Sequence, residues 1–83
     1  MRKMNQHKQV TVDFSNYSKG VYDLAVPIYL PLRILIPLIV ESLDLDIRQV
    51  SKQMKVMTKH QLLIENDCLA DYQIADGDIL KIL

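Results

Sequence analysis

Apolar and polar positions alternate between residues 8 and 14, with Val10, Val12 and Phe14 on one side and Gln9, Thr11 and Asp13 on the other. A period of two is that of a β-strand with one face buried. Ser15-Asn16-Tyr17-Ser18-Lys19-Gly20 follows, a turn by composition because Asn and Gly tolerate left-handed backbone. Alternation then resumes, with Tyr22, Leu24 and Val26 against Asp23 and Ala25. Two alternating runs around such a turn predict an antiparallel hairpin with a loop longer than the tightest kind.

The period changes after Pro27, which ends the strand because it cannot donate to a ladder. Pro31 suits the first position of a helix, where a missing N–H costs nothing. Leu32, Leu35, Ile36, Ile39 and Leu43 then follow i, i+3, i+4, i+7 spacing, which lines one side of a helix. The spacing predicts a helix over 31–43. Pro37 sits inside it, where proline removes a backbone bond and clashes with the preceding turn at a cost of about 3 kcal/mol. Either the helix kinks there, the favoured reading, or its regular part starts near Pro37. Beyond Leu45-Asp46-Ile47 the chain predicts a strand over 54–58, a short strand over 62–64, a helical turn at Asp71-Tyr72-Gln73 and a tight turn at Asp76-Gly77-Asp78. A last strand runs over 79–83, with Leu80 and Ile82 inward. The order ββ-α-ββ-turn-β is an α+β mixed sheet with one helix packed across one face. Residues 1–6 are polar and aperiodic and read as a flexible arm, which leaves 7–83 as the domain. Met4 is a second candidate start beside Met1.

Composition narrows the function. With 83 residues, 49% of them hydrophobic and 24% charged, the chain fits one small soluble domain. A domain of this size buries only roughly 60–65% of its unfolded surface, so every apolar element must join one core. Ten basic and ten acidic residues cancel to zero, which argues against nucleic acid, since phosphate binding draws on a surplus of Lys and Arg. The apolar stretch from Val26 to Val40 carries Arg33 and three prolines. It falls short of the roughly 20 apolar residues a membrane span needs, so no membrane insertion is expected. The single cysteine, Cys68, has no intrachain partner and reads as a small loop or core residue in a reducing, cytoplasmic compartment.

The stretch Leu69-Ala-Asp-Tyr-Gln-Ile74, with the final strand Asp78-Ile-Leu-Lys-Ile-Leu83, resembles the corresponding part of ubiquitin. In such a fold Leu69, Ile74 and Leu80 enter the core, while Tyr72 packs over a loop and spends its hydroxyl on backbone. More closely, residues 5–83 resemble the YukD/EsaB family, small ubiquitin-like components of the Gram-positive type VII (WXG100) secretion system. Tyr22-Asp-Leu-Ala-Val-Pro27, Lys55-Val-Met-Thr-Lys59 and Tyr72-Gln-Ile-Ala-Asp-Gly-Asp-Ile-Leu80 carry that resemblance. It implies a ubiquitin-like β-grasp and an accessory or regulatory role in the cytoplasm, in contact with membrane-embedded parts of the export machine.

Chemistry finds little footing. Ubiquitin-type conjugation and sulfur transfer need a flexible tail ending in Gly-Gly. The glycines here are Gly20 and Gly77, and the sequence as given closes on Lys81-Ile82-Leu83. Ser51, Cys68, His7 and His60 lie in different segments, with no nucleophile–base–orienter pattern. His60 reads as a solvated turn residue, and no metal, cofactor or catalytic residue is expected. Two surfaces remain as partner candidates. Alternation puts Lys55, Met57, Lys81 and Leu83 on the sheet face opposite the helix, the region ubiquitin uses for most partners. On the helix, Ile34, Pro37 and Leu38 point away from the core-facing side, flanked by Arg33 and Glu41. The alternatives are an ordinary solvated sheet face, and a helix that buries Ile34 and Leu38 against residues 45–52. The reading is a non-catalytic protein-binding module of type VII secretion. The rival is a free-standing ubiquitin-like regulator unrelated to secretion, weakly homo-oligomeric through its edge strand.

Overall fold

The computed structural model describes residues 6–83. Strands β1 (His7–Asp13) and β2 (Val21–Pro27) form the expected hairpin, antiparallel from His7↔Pro27 to Asp13↔Val21. Val10, Val12, Phe14 and Val26 are buried, and Tyr22 and Leu24 half-buried, so the alternation has the phase expected of it. Of the arm expected over 1–6, residues 1–5 lie outside the described residues. The carbonyl of Gln6 accepts the Ile28 N–H at 3.0 Å. In the hairpin loop the left-handed residues are Ser18 and Gly20 (φ 57° and 87°), not Asn16. The Tyr22 hydroxyl donates to the Lys19 carbonyl, and its ring meets that of Phe14 edge-on, with centroids 6.4 Å apart.

Helix α1 spans Leu32–Ser42. Pro31 stands just before it rather than at its first position, with extended backbone (φ −66°, ψ 152°) that bridges to Cys68. No side chain caps this end. Instead the orphan N–H groups of Leu32 and Arg33 donate to the carbonyls of Asp67 and Glu65 at 2.9 and 3.0 Å, which meets the need every helix start has. Leu32, Leu35, Ile36 and Ile39 are buried as the spacing predicts, joined by Val40, while Leu43 is half-buried. The helix runs unbroken through Pro37, so the proline does not shorten it. Pro37 and Arg33 are both exposed. The Arg33 carbonyl that loses its i+4 donor therefore lies on the solvent side of the helix, where the loss costs least.

The remaining strands are β3 (Met54–Val56), β4 (Gln61–Leu63) and β5 (Ile79–Ile82). All five join one sheet in the order β2-β1-β5-β3-β4. β5 lies parallel to β1 and antiparallel to β3, which makes the sheet mixed. Strand β3 ends at Val56, short of the expected Thr58. There the Lys59 N–H bonds back to the Val56 carbonyl at 3.1 Å and His60 takes a left-handed φ of 53°, so Met57–His60 is a turn. Leu69, Ile74 and Leu80 enter the core as expected. Tyr72 departs from expectation, because its hydroxyl faces the Asp67 carboxylate rather than backbone, which pushes the phenol up. The buried stripe of α1 packs on Val10, Val12, Met54, Val56, Leu63, Leu80 and Ile82. Each such side chain contributes roughly 1.5–3 kcal/mol by leaving water.

Candidate functional site

With α1 covering one face of the sheet, the other face is open among the described residues. Pairing register places its residues in rows. Asp13 lies opposite Val21 and Lys81, Lys81 opposite Lys55, and Lys55 opposite Leu62. The row across the sheet is therefore Val21–Asp13–Lys81–Lys55–Leu62. The next row holds Asp23, Thr11 and Ile79, and Met57 continues it, its N–H bonded to the Ile79 carbonyl at 2.8 Å. On the other side Leu83 donates its N–H to the Gln53 carbonyl at 3.1 Å.

The expected sheet-face residues Lys55, Met57, Lys81 and Leu83 thus come together. Lys55, Met57 and Lys81 are half-buried and Leu83 is 40% exposed. Sequence reasoning missed the apolar neighbours. Leu62 is 55% exposed, Val21 56% and Ile79 38%, and all three belong to the open face by register. Their signal was present in the alternation, since each neighbours a residue that points inward. Register was needed to see that Leu62 and Ile79 adjoin the lysines, while Val21 lies beyond Asp13 at the other end of the row.

Asp78 holds this face in shape. It is the one buried charged residue among those described. Its carboxylate accepts the Thr58 hydroxyl at 2.8 Å, the Lys59 ammonium at 2.7 Å and the Ala75 N–H at 2.9 Å. One side chain thereby ties the turn after β3 to the entry of β5, beside the backbone bond from Met57 to Ile79. Burial pushes the Asp78 carboxyl up, but the bonds from Lys59, Ala75 and Thr58 outweigh it and hold the group below the usual aspartate range. Asp13 is also held low, first by its bond from Ser15, and Lys81 contributes.

The outer helix pair, Ile34 and Leu38, is 48% and 44% exposed, so it is not buried against residues 45–52. Pro37, Val40 and Glu41 instead border a groove with Ile47, Arg48, Gln49, Val50 and Lys52. Because α1 lies between them and the sheet, Ile34 and Leu38 are not part of the open face. His60 is an exposed turn residue, and Cys68 is a half-buried loop residue whose thiol meets the Tyr29 carbonyl at 3.5 Å. Among the described residues no group of three or more His, Cys, Asp or Glu is placed to hold a metal ion, and no helix is long and apolar enough to cross a membrane.

Residues 7–82 match the family model described as "YukD: WXG100 protein secretion system (Wss), protein YukD". The chain is similar to the type VII secretion system accessory factor EsaB of Staphylococcus aureus. In strains Newman, COL and MSSA476 that relative is 66% identical over 80 residues, which is 96% of this chain and 100% of the relative. A solved structure described as "Molecular Mimicry of SUMO promotes DNA repair" superposes with a TM-score of 0.70 at 12% identity, covering 99% of this chain and 96% of that one. At that identity the likeness speaks for the ubiquitin-like fold alone.

Proposed function

Because the chain belongs to the YukD family of the WXG100 protein secretion system, we propose that it is a type VII secretion accessory factor. In this reading it does no chemistry of its own and binds protein components of the secretion machinery on the cytoplasmic side, through the open face of its sheet. The observation that carries the reading is the apolar group Met57, Ile79, Leu62 and Leu83, gathered around Lys55 and Lys81 on a face that no element among the described residues covers. Exposed contiguous apolar surface on a small domain marks an interaction site, and apolar anchors with a charged surround suit a reversible interface. Ile34 and Leu38 form a smaller surface on the far side of the helix. A pulldown with the system's membrane components tests the assignment. Met57→Asp is expected to abolish capture and Leu38→Asp to leave it intact. Capture by the Met57→Asp protein at the wild-type level refutes the sheet-face reading.

A further inference from the structure

Lys55 and Lys81 stand directly opposite each other on adjacent strands. Side chains so paired have Cβ atoms only about 4.5–5.5 Å apart, and like charges there are destabilising. Among the described residues the one ion pair is Lys59–Asp78; Asp13 stands opposite Lys81 on β1 and attracts it without a salt bridge, while the residues opposite Lys55 are Lys81 and Leu62. Leu62, Met57, Ile79 and Leu83 border the pair on the sides away from Asp13. A partner lying over that border would exclude water from the two ammonium groups, which strengthens any charge contact beneath it.

Resting on the reading of the open face as a protein-binding surface, we propose that its partner presents a single carboxylate, flanked by apolar side chains, that seats between Lys55 and Lys81. The charge pattern favours a protein carboxylate over an anionic membrane. The chain has no net positive charge, and Asp13 and Asp23 share the face with the lysines. Polybasic membrane attachment gains only about 1 kcal/mol per basic residue, and two lysines beside two aspartates leave little of that. The same aspartates confine the incoming carboxylate to the β3–β5 side, which gives the site a direction as well as a charge.

The test is binding of the full-length chain to purified, detergent-solubilised membrane components of the type VII machinery, measured at low and high salt. The double variant Lys55→Gln/Lys81→Gln is expected to weaken binding at least about tenfold and to lose most of the salt dependence. The Lys55→Arg/Lys81→Arg protein is expected to retain both, and the Gln variant to melt close to wild type, since relief of the Lys55–Lys81 repulsion offsets the lost attraction between Lys81 and Asp13. If Met57→Asp abolishes binding while the Gln variant binds as wild type with unchanged salt dependence, the carboxylate proposal is overturned and the sheet-face reading stands. Wild-type binding by Met57→Asp, or no binding by any component, overturns both. A markedly lower melting temperature in the Gln variant overturns the proposal by giving the lysines to the fold. So does lysine-dependent binding to phosphatidylserine-containing vesicles, which gives the site to lipid.

Discussion

At the scale of single residues, Asp78 shows how a buried charge becomes a structural joint. With its carboxylate 9% exposed beside Lys59, it accepts from an ammonium, a hydroxyl and a backbone N–H. An ionised group is tolerated there because each bond favours the charged form. Asp78→Asn keeps the volume but loses the charge and sets an amide NH₂ against donors. It should cost about 1–3 kcal/mol, the usual penalty for a buried polar group left without its partners. The pH dependence follows from the sign of the shift. The folded pKa lies below the ordinary aspartate value of about 3.9, so the stabilisation is complete above that value. It is lost as pH falls from there through the depressed folded value. Urea unfolding of wild type and Asp78→Asn should therefore converge as pH falls below about 4. Asp13 titrates in the same direction in both proteins, so the difference between the curves isolates Asp78. A difference that stays constant down to pH 2.5 would remove the joint from the account.

At the scale of elements, both ends of α1 depart from sequence convention in ways that backbone bonding explains. The N-terminus has no side-chain cap because carbonyls of the 65–67 loop take its free N–H groups. At the C-terminus the Leu45 N–H reaches the Val40 carbonyl and the Asp44 N–H the Glu41 carbonyl, both at 3.0 Å. That is a Schellman ending, and its left-handed residue is Asp44 at φ 54°, where glycine is usual. An L-residue with a Cβ pays roughly 1 kcal/mol for that conformation. Asp44→Gly should therefore stabilise the protein by about 0.5–1 kcal/mol, and raise its melting temperature by roughly 2–8 °C for a domain of this size. Thermal unfolding checks this. A fall in melting temperature would mean that the Asp44 side chain contributes more than its backbone strain costs.

At the scale of the whole molecule, the fold was legible because the strand phases and the helical stripe depend on neighbours in sequence. Val10, Val12, Leu35, Ile39, Leu80 and Ile82 all went inward as their spacing required. The limits of elements were less legible because the left-handed positions are Ser18, Asp44, His60 and Gln73 as well as the two glycines. Met57 thus read as strand when it opens a turn. The candidate site was half legible. Alternation set the faces of Lys55, Met57, Lys81 and Leu83, but the apposition of Lys55 with Lys81 and Leu62 is a matter of register. A slip of one residue would turn a strand over, and no local pattern states which residue pairs with which. Long-range ties of the same kind also join segments that lie in no common sheet. The Ser51 N–H donates to the Tyr17 hydroxyl at 2.8 Å, which pins the 45–53 segment to the β1–β2 loop while Leu45, Ile47 and Val50 rest on the core margin. Tyr17→Phe removes that acceptor and little else. Losing one neutral hydrogen bond of about 1 kcal/mol should speed exchange of the Ser51 amide roughly fivefold. The amides of β1 and β5, which exchange through global opening, should slow or quicken together by much less. Uniform acceleration across all strands would instead show that residues 45–53 and the sheet open as one unit.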